Sequence, residues 1–209
     1  MKVEEQQRIK DMLIYEQELN NSGYINVAGV DEAGRGPLCG PVVAAAVILP
    51  KNIDIEGIND SKKLSEKKRE KIYEEIISNK DIYYGIGISD VDVIEKVNIL
   101  NATKLAMKDA INNLKLKPDY VIIDGNQKID ISIPSQTLVS GDSKSASIAA
   151  ASIIAKVTRD RMMKSCDEKY PEYNFAKHKG YGTKAHIEAI QKYGLCDIHR
   201  PSFCKNFVK

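Results

Sequence analysis

Four acidic residues stand out because each lies at or beside the end of an apolar segment. Asp31 and Glu32 follow the first predicted strand, Asp124 ends an apolar run, and Asp142 comes just after the last predicted strand. Carboxylates that meet at one edge of a sheet repel one another unless a cation lies between them. Mg²⁺ and Mn²⁺ take oxygen ligands and are commonly shared with a substrate phosphate. Together the four acids favour a divalent-metal site, whereas each one alone is typical of a turn or a helix cap.

Asp31 and Glu32 are neighbours, and neighbouring side chains on a strand normally point to opposite faces of a sheet. We therefore expect a backbone kink if both carboxylates share one site, and Gly34 and Gly36 make such a kink feasible. The same glycines would let the main chain approach a ligand closely, and Arg35 between them can pair with a phosphate. The alternative for these three residues is a tight turn between two strands.

Three further segments carry residues that could contact a nucleic acid. Gly141-Asp142-Ser143-Lys144 precedes a predicted helix, whose exposed N–H groups can receive a phosphate, although Asp142 fits the N-cap of that helix equally well. Lys62 lies in a basic stretch interleaved with acids, a pattern that favours a solvated helix face. Tyr181 follows Lys179 in a glycine-rich basic loop, where an exposed ring can stack on a sugar or base. The alternative is a tyrosine packed on its own domain.

The cysteines give little support for a metal site or a disulfide framework. Cys196, His199 and Cys204 could suggest zinc, but they supply only three soft ligands with an unusual spacing. None of the cysteines forms a CxxC pair, and the acidic, polar N-terminus MKVEEQQRIKDML lacks the apolar segment of an export signal. We therefore expect reduced thiols and a cytoplasmic location.

The composition is that of a single globular domain. The 209 residues are 43% hydrophobic and 29% charged, and the longest apolar run, residues 41–50, is too short for a membrane helix. These values exclude a largely disordered, fibrous or membrane-spanning chain. Residues 156–209 hold 12 basic and 6 acidic side chains, whereas residues 1–155 hold 19 and 23. An acidic part joined to a basic part fits a metal site beside a surface that binds a polyanion.

Hydrophobic periodicity predicts an alternation of strands and helices. Predicted strands cover residues 24–30, 42–49, 82–89, 120–124 and 136–139. Predicted helices cover residues 3–20, 65–78, 90–114 with a break near Asn98, 145–170 and 184–193, with a loop at 171–183 and an irregular tail. The segment between the first two strands is too short for a parallel crossover. We therefore expect an α/β protein in which an antiparallel meander is extended by parallel strands connected through helices.

Several long stretches of the chain resemble bacterial ribonuclease HII. They are VAGVDEAGRGPLCGPVVAAAVIL at 27–49, NDSKKLSEKKRE at 59–70, VIIDGN at 121–126, SGDSKSASIAAASIIAKVTRDR at 140–161, HKGYGTKAH at 178–186 and HRPSF at 199–203. The resemblance implies a ribonuclease H-like mixed five-stranded sheet flanked by helices, with a C-terminal helical extension. It divides the chain into an N-terminal helix (1–23), a catalytic core (24–170) and an extension that completes the substrate site (171–209).

The resemblance also implies roles for individual residues. The catalytic residues, which would also hold two divalent ions (Mg²⁺ or Mn²⁺), would be Asp31, Glu32, Asp124 and Asp142. The substrate-binding residues would be Gly34, Arg35, Gly36, Lys62, Ser143, Lys144, Lys179 and Tyr181. The backbone of residues 34–36 would sense the 2′-hydroxyl of a ribonucleotide, and Tyr181 would pack against the sugar of the following deoxynucleotide.

The implied activity is that of an endonuclease. It would hydrolyse the RNA strand of RNA–DNA hybrids and cut on the 5′ side of single ribonucleotides in duplex DNA, leaving 3′-hydroxyl and 5′-phosphate ends. Its partners would be these nucleic acids and no membrane; the tail CKNFVK has no evident clamp-binding motif, and we expect a monomer. Two alternatives stay open: a ribonuclease H-fold nuclease or recombinase that acts on DNA only, and a catalytically silent module that binds hybrids.

Overall fold

A mixed sheet of five strands lies at the centre of the computed structural model, which describes residues 3–53 and 55–208. The strands, in the spatial order β3-β2-β1-β4-β5, are β1 (Val27–Ala33), β2 (Val42–Ile48), β3 (Tyr83–Ser89), β4 (Tyr120–Asp124) and β5 (Ser135–Leu138). β1, β2 and β3 form an antiparallel meander, and β4 and β5 are added in parallel beside β1. This arrangement confirms the predicted mixed α/β sheet.

The helices of the described residues are α1 (Val3–Met12), α2 (Ile14–Asn21), α3 (Glu66–Ser78), α4 (Val91–Asn112), α5 (Ala146–Lys169), α6 (Phe175–His178), α7 (Lys184–Tyr193) and α8 (Pro201–Cys204). The predicted break in α4 is confirmed, because Asn98 has non-helical dihedral angles of φ 68° and ψ 165°. The short helices α6 and α8 lie where the sequence predicts loop and irregular structure, since four residues are too few to establish a helical period. No helix in the described ranges is long and apolar enough to span a membrane.

The N-terminal helix predicted over residues 3–20 is in fact two helices, because the chain turns at Leu13. The Leu13 N–H is shared between the carbonyl oxygens of Ile9 and Lys10, at 3.1 Å each, which tightens the end of α1. The turn allows Ile9 and Leu13 to pack in the same apolar cluster as α3, while Leu19 of α2 packs toward β1 and β4. Burial of apolar side chains against two separate surfaces therefore explains the break.

β1 begins later than predicted and continues through Ala33. The Asp119 carboxylate accepts hydrogen bonds from the backbone N–H groups of Ile25 (2.8 Å) and Asn26 (3.0 Å), which holds the preceding segment as a loop. The start of β1 is therefore decided by a residue distant in the sequence. Its later end places Asp31 inside the strand.

Two helices cover the two faces of the sheet. α5 crosses one face so closely that a Cβ on Gly29 would lie 2.3 Å from the Ile148 nitrogen, so only glycine fits there. α4 covers the other face and packs on Ala28 and Val30 of β1. Burial on both faces explains why β2 is a continuous apolar run.

The segment after α5 packs on the loop between β1 and β2. Phe175 and Ile190 share an apolar cluster with Leu38 of that loop. Main-chain hydrogen bonds reinforce the contact: the Leu38 N–H donates to the Gly180 carbonyl oxygen at 2.8 Å, and the Arg200 N–H donates to the Leu38 carbonyl oxygen at 2.9 Å. The C-terminal segment is thereby attached next to the acid-bearing end of β1.

Candidate active site

The four acids lie at one end of the sheet, on three neighbouring segments. Asp31 and Glu32 occupy the last part of β1, Asp124 ends β4, and Asp142 lies in the short turn that follows β5. β1 and β4 are parallel neighbours, so their carboxyl ends meet at the same edge. The Asp124 Oδ1 atom accepts a hydrogen bond from the Gly141 N–H at 2.7 Å, which links the end of β4 to the turn that carries Asp142.

The structure shows no backbone kink at Asp31 and Glu32, which was the condition expected for both carboxylates to share one site. Both residues pair with consecutive residues of β2 in regular antiparallel register, so their side chains leave opposite faces of the strand. Asp31 contacts Ser152 of α5, whereas Glu32 lines a small cavity together with residues of α4. The acids still interact because β1 ends at the edge of the sheet, where the charge of Asp124 acts on both of them.

Burial and mutual repulsion raise the pKa values of three of these acids. Asp31 is 4% exposed, and burial, followed by the charges of Glu32 and Asp124, raises its pKa well above the ordinary value. Burial also raises the pKa of Glu32, although Arg35, whose Nη1 lies 3.3 Å from the Glu32 Oε1, acts in the opposite direction. The pKa of Asp142 is raised by burial and by neighbouring acids. Burial is the largest cause of all three shifts, and the charges of neighbouring acids add to it.

Lys62 is a nearby cation, with its Nζ 3.6 Å from the Asp142 Oδ2. Burial would lower the pKa of Lys62, but the charges of Asp142 and Asp31 outweigh it and the pKa is raised. Lys62 and Arg35 together do not neutralise four carboxylates. All four candidate donors are oxygen ligands, which suit Mg²⁺ or Mn²⁺, and the uncompensated charge favours such an ion. The residues present therefore fit a divalent cation.

The predicted glycine loop and the predicted tyrosine are neighbours. Gly34 has a left-handed φ of +100°, and a Cβ there would lie 2.2 Å from the Arg159 Nε, so the tight turn after β1 requires glycine. A Cβ on Gly36 would lie 4.0 Å from the Tyr181 ring, which is 46% exposed. The structure thus brings the loop and an accessible aromatic ring together beside the acids of β1.

The remaining predicted contacts differ in their accessibility. Ser143 and Lys144 lie next to Asp142, and their side chains donate hydrogen bonds of 2.8 and 2.7 Å to backbone carbonyl oxygens of the same turn. Lys144 is exposed. Lys179 is only 8% exposed, and its Nζ donates to the Ala176 carbonyl oxygen. The ammonium group of Lys179 is therefore not presented to solvent, in contrast to those of Lys62 and Lys144.

Two buried arginines hold the loops of the site and were not predicted from the sequence. The Arg200 guanidinium is fully buried and donates five hydrogen bonds of 2.7–3.1 Å to the backbone carbonyl oxygens of Gly34, Arg35, Pro37 and Gly40. Arg159 donates hydrogen bonds of 2.9–3.0 Å to the carbonyl oxygens of Cys39, Pro41 and Lys179. For Arg200, the sequence signal that could have indicated this role is its place in the HRPSF segment of an otherwise partly apolar tail.

Two buried histidines form a hydrogen-bonded chain that ends on Tyr181. Burial lowers the pKa of both, that of His199 to about 4, so both rings are neutral at neutral pH. The His199 Nδ1 accepts from the Cys196 N–H at 3.0 Å, so its proton lies on Nε2, 3.1 Å from the His186 Nε2. The His186 Nδ1–H then donates to the Tyr181 carbonyl oxygen at 2.9 Å. Cys39 offers a third ligand atom within 4.8 Å, but these hydrogen bonds already use both nitrogens of each ring.

Comparison with known proteins gives a consistent result in sequence and in structure. The family model of ribonuclease HII matches residues 28–206. The ribonuclease HII of Acetivibrio thermocellus is 61% identical over 96% of this chain and 78% of the relative, and that of Clostridioides difficile is 54% identical over 98% and 80%. The ribonuclease H2 of Pyrococcus horikoshii OT3 has a similar crystal structure, with a TM-score of 0.72 at 31% identity over 88% of this chain and 97% of that one. Because these matches extend over nearly all of its length, the chain belongs to the ribonuclease HII family.

Proposed function

We propose that this protein hydrolyses the RNA strand of RNA–DNA hybrids and cuts on the 5′ side of single ribonucleotides in duplex DNA, leaving 3′-hydroxyl and 5′-phosphate ends. Its family makes it a ribonuclease H, a divalent-metal-dependent endonuclease that acts on RNA–DNA hybrids. One observation carries the finer proposal: the exposed Tyr181 ring lies beside the Gly36 backbone, at the end of the sheet that bears the acids.

We assign Asp31, Glu32, Asp124 and Asp142 as the ligands of two divalent ions, Mg²⁺ or Mn²⁺. Such ions, when bound, lower the pKa of a water molecule and stabilise the charge on the leaving oxygen. The acids suit this role because their carboxylates are oxygen donors, and the pKa values of three of them are raised by burial and by neighbouring acids that a bound cation would offset. The hydrogen bond from the Gly141 N–H restricts the orientation of the Asp124 carboxylate.

We assign the phosphate contacts to the positively charged side chains near Asp142 that are exposed to solvent. The Lys62 side chain is 77% exposed, and Lys144 is exposed on the turn next to Asp142. Ser143 and Arg35 would supply further donors. Lys179 has a different role in this proposal, because it is buried, unlike Lys144, and its carbonyl oxygen accepts from Arg159 at 2.9 Å. Lys179 would hold the Tyr181 loop rather than contact a phosphate.

Selectivity for a ribose followed by a deoxyribose would come from two neighbouring elements. The backbone of Gly34-Arg35-Gly36 can approach a sugar closely because the glycines lack side chains, and its polar groups would contact the 2′-hydroxyl. The Tyr181 ring would pack flat on the next sugar, where an additional hydroxyl would crowd it. The two elements together would recognise the junction between a ribonucleotide and the following deoxyribonucleotide rather than a uniform duplex.

The decisive experiment is a cleavage assay on three matched duplexes: all DNA, DNA with one ribonucleotide, and a continuous RNA–DNA hybrid. Each is tested with Mg²⁺, Mn²⁺ and EDTA. We expect cleavage 5′ of the ribonucleotide and within the hybrid, metal dependence, and no cleavage of the all-DNA duplex. Asp124→Asn should lose at least about 10²-fold in kcat because an amide does not supply the ligand charge. The exposed Asp130→Asn is the matched control and should retain wild-type turnover.

The other outcomes identify the alternatives. Equal cleavage of the all-DNA duplex would indicate a DNA nuclease of the same fold. Tight binding of the hybrid without cleavage under any metal condition would indicate a silent binding module. Near wild-type turnover by a correctly folded Asp124→Asn would refute the assignment of the acids.

A further inference from the structure

Glu16 is a buried acid that the proposed mechanism does not use. It lies on α2, before the residues 28–206 that match the family model, and it is 8% exposed. A carboxylate is costly to bury unless hydrogen bonds compensate it. The hydrogen bonds of the Glu16 carboxylate therefore indicate its role in the fold.

The Glu16 carboxylate caps the N-terminus of α5. Its Oε1 accepts three hydrogen bonds, from the Ser145 hydroxyl (2.6 Å), the Ser147 hydroxyl (2.5 Å) and the Ser147 N–H (3.0 Å). Ser145 is also the N-cap residue of α5, because its hydroxyl oxygen accepts from the Ile148 N–H at 3.2 Å. A carboxylate near the free N–H groups at the start of a helix is stabilised by the helix dipole and by charge-assisted hydrogen bonds. Glu16 thus fixes both the hydroxyl of the cap and the first turn of the helix.

The same cap residue is connected to two of the assigned metal ligands. The Ser145 N–H donates to the Gly141 carbonyl oxygen at 2.8 Å. The Gly141 N–H in turn donates to the Asp124 Oδ1 at 2.7 Å, and Asp142 is the next residue in that turn. A continuous chain of hydrogen bonds therefore leads from Glu16 through Ser145 and Gly141 to Asp124.

We propose that Glu16 is a positioning residue for the metal site, acting through Ser145 and the Gly141 turn on Asp124 and Asp142. The inference rests on the proposed function of those two acids. A helix cap alone does not require Glu16, because the Ser145 hydroxyl already serves the Ile148 N–H. The additional carboxylate holds the turn and the helix start in one relative position, which is the arrangement that directs the acids.

The test combines metal binding, activity and stability for Glu16→Gln. Mn²⁺ binding to the protein alone is measured by electron paramagnetic resonance, and kcat, KM for a ribonucleotide-containing duplex, the Mg²⁺ concentration at half-maximal rate, and Tm are measured beside it. Loss of an outer partner of a metal ligand typically weakens metal affinity or activity by about 10- to 100-fold. Glu16 is not a direct partner of Asp124 but acts through Ser145 and Gly141, so we expect a smaller effect, of about 3- to 10-fold, on Mn²⁺ affinity and on kcat, with KM for the duplex unchanged.

Three further variants make the result decisive. Glu18 lies on the exposed side of the same helix, so Glu18→Gln should behave as wild type. Ser147→Ala removes one donor to Glu16 but leaves the N-cap in place, so it should show a smaller effect of the same kind and carries the test if Glu16→Gln does not fold. Asp124→Asn reports on the metal site itself and should weaken Mn²⁺ binding.

A lower Tm in the Glu16 and Ser147 variants with wild-type Mn²⁺ affinity and wild-type kcat would overturn the proposal and leave Glu16 as a structural cap only. If Asp124→Asn weakens Mn²⁺ binding while the Glu16 and Ser147 variants do not, only this inference fails. If Asp124→Asn binds Mn²⁺ as tightly as wild type, the assigned metal site fails, and the positioning role of Glu16 is refuted with it.

Discussion

Arg200→Lys should loosen the loop that carries Gly34-Arg35-Gly36 without removing the positive charge. The wild-type guanidinium donates five hydrogen bonds to four backbone carbonyl oxygens from a fully buried position. Burial, followed by the charge of Arg159, lowers the pKa of Arg200 to about 10, which leaves it charged at neutral pH. A lysine ammonium has three donors and no planar fork, so at least one of the carbonyl oxygens loses its partner.

The expected magnitude follows from the number of carbonyl oxygens left without a donor. Each buried polar group that loses its partner costs about 1–3 kcal/mol, so one or two of them lower the free energy of unfolding by about 1–6 kcal/mol. A chain of this size loses roughly 2–4 °C in Tm per kcal/mol, so the expected fall in Tm is roughly 2–24 °C. A shift of about 1 Å in the loop can cost up to about 10²-fold in turnover, so kcat/KM on a single embedded ribonucleotide should fall even well below the Tm.

Thermal unfolding and cleavage kinetics at a temperature where both proteins are folded measure these effects. Arg161→Lys is the matched control, because Arg161 pairs with Glu70 and Glu74 at the surface. This variant should lower the free energy of unfolding by less than about 1 kcal/mol. An Arg200→Lys protein within the range of that control, with wild-type cleavage of the junction, would refute the view that Arg200 holds the loop.

Three further results are expected. Without metal, Asp31→Asn should raise Tm at pH 7 but have little effect near pH 3. Because the pKa of Asp31 is raised in the folded state, folding favours the protonated carboxyl, and the stability that this form contributes is lost as the pH rises through the folded-state pKa. Unfolding scans in EDTA across this pH range measure the difference. Lys62→Ala should make the negative slope of log affinity against log salt shallower by about 0.9 on duplex substrate. An unchanged slope would exclude a phosphate contact. Tyr181→Ala should lose roughly 5- to 150-fold on a single embedded ribonucleotide and less on a continuous hybrid, as measured by the ratio of kcat/KM values; an unchanged ratio would argue against a role in selectivity.

The architecture and the identity of the candidate acids were readable from the sequence. β2 and β4 are apolar runs of strand length, and the break at Asn98 is a local feature that neighbouring residues determine. The alternative of Asp142 as the N-cap of α5 was wrong, because Asp142 lies in the turn before the helix and Ser145 is the N-cap. Asp124 stands at the end of such a run, so its place at the edge of the sheet follows from the strand itself. Local patterns predict these features because the backbone period and the adjacent side chains are encoded within a few residues.

The contacts that hold the site were decided by the tertiary structure. Arg200 reaches carbonyl oxygens more than 150 residues earlier in the chain, and Glu16 caps a helix that begins 130 residues later. The opposite faces of Asp31 and Glu32 and the buried ammonium of Lys179 likewise depend on which elements pack beside them. No local period encodes such pairings, because a buried hydrogen bond forms only where folding brings a donor and an acceptor from distant segments into one water-free space.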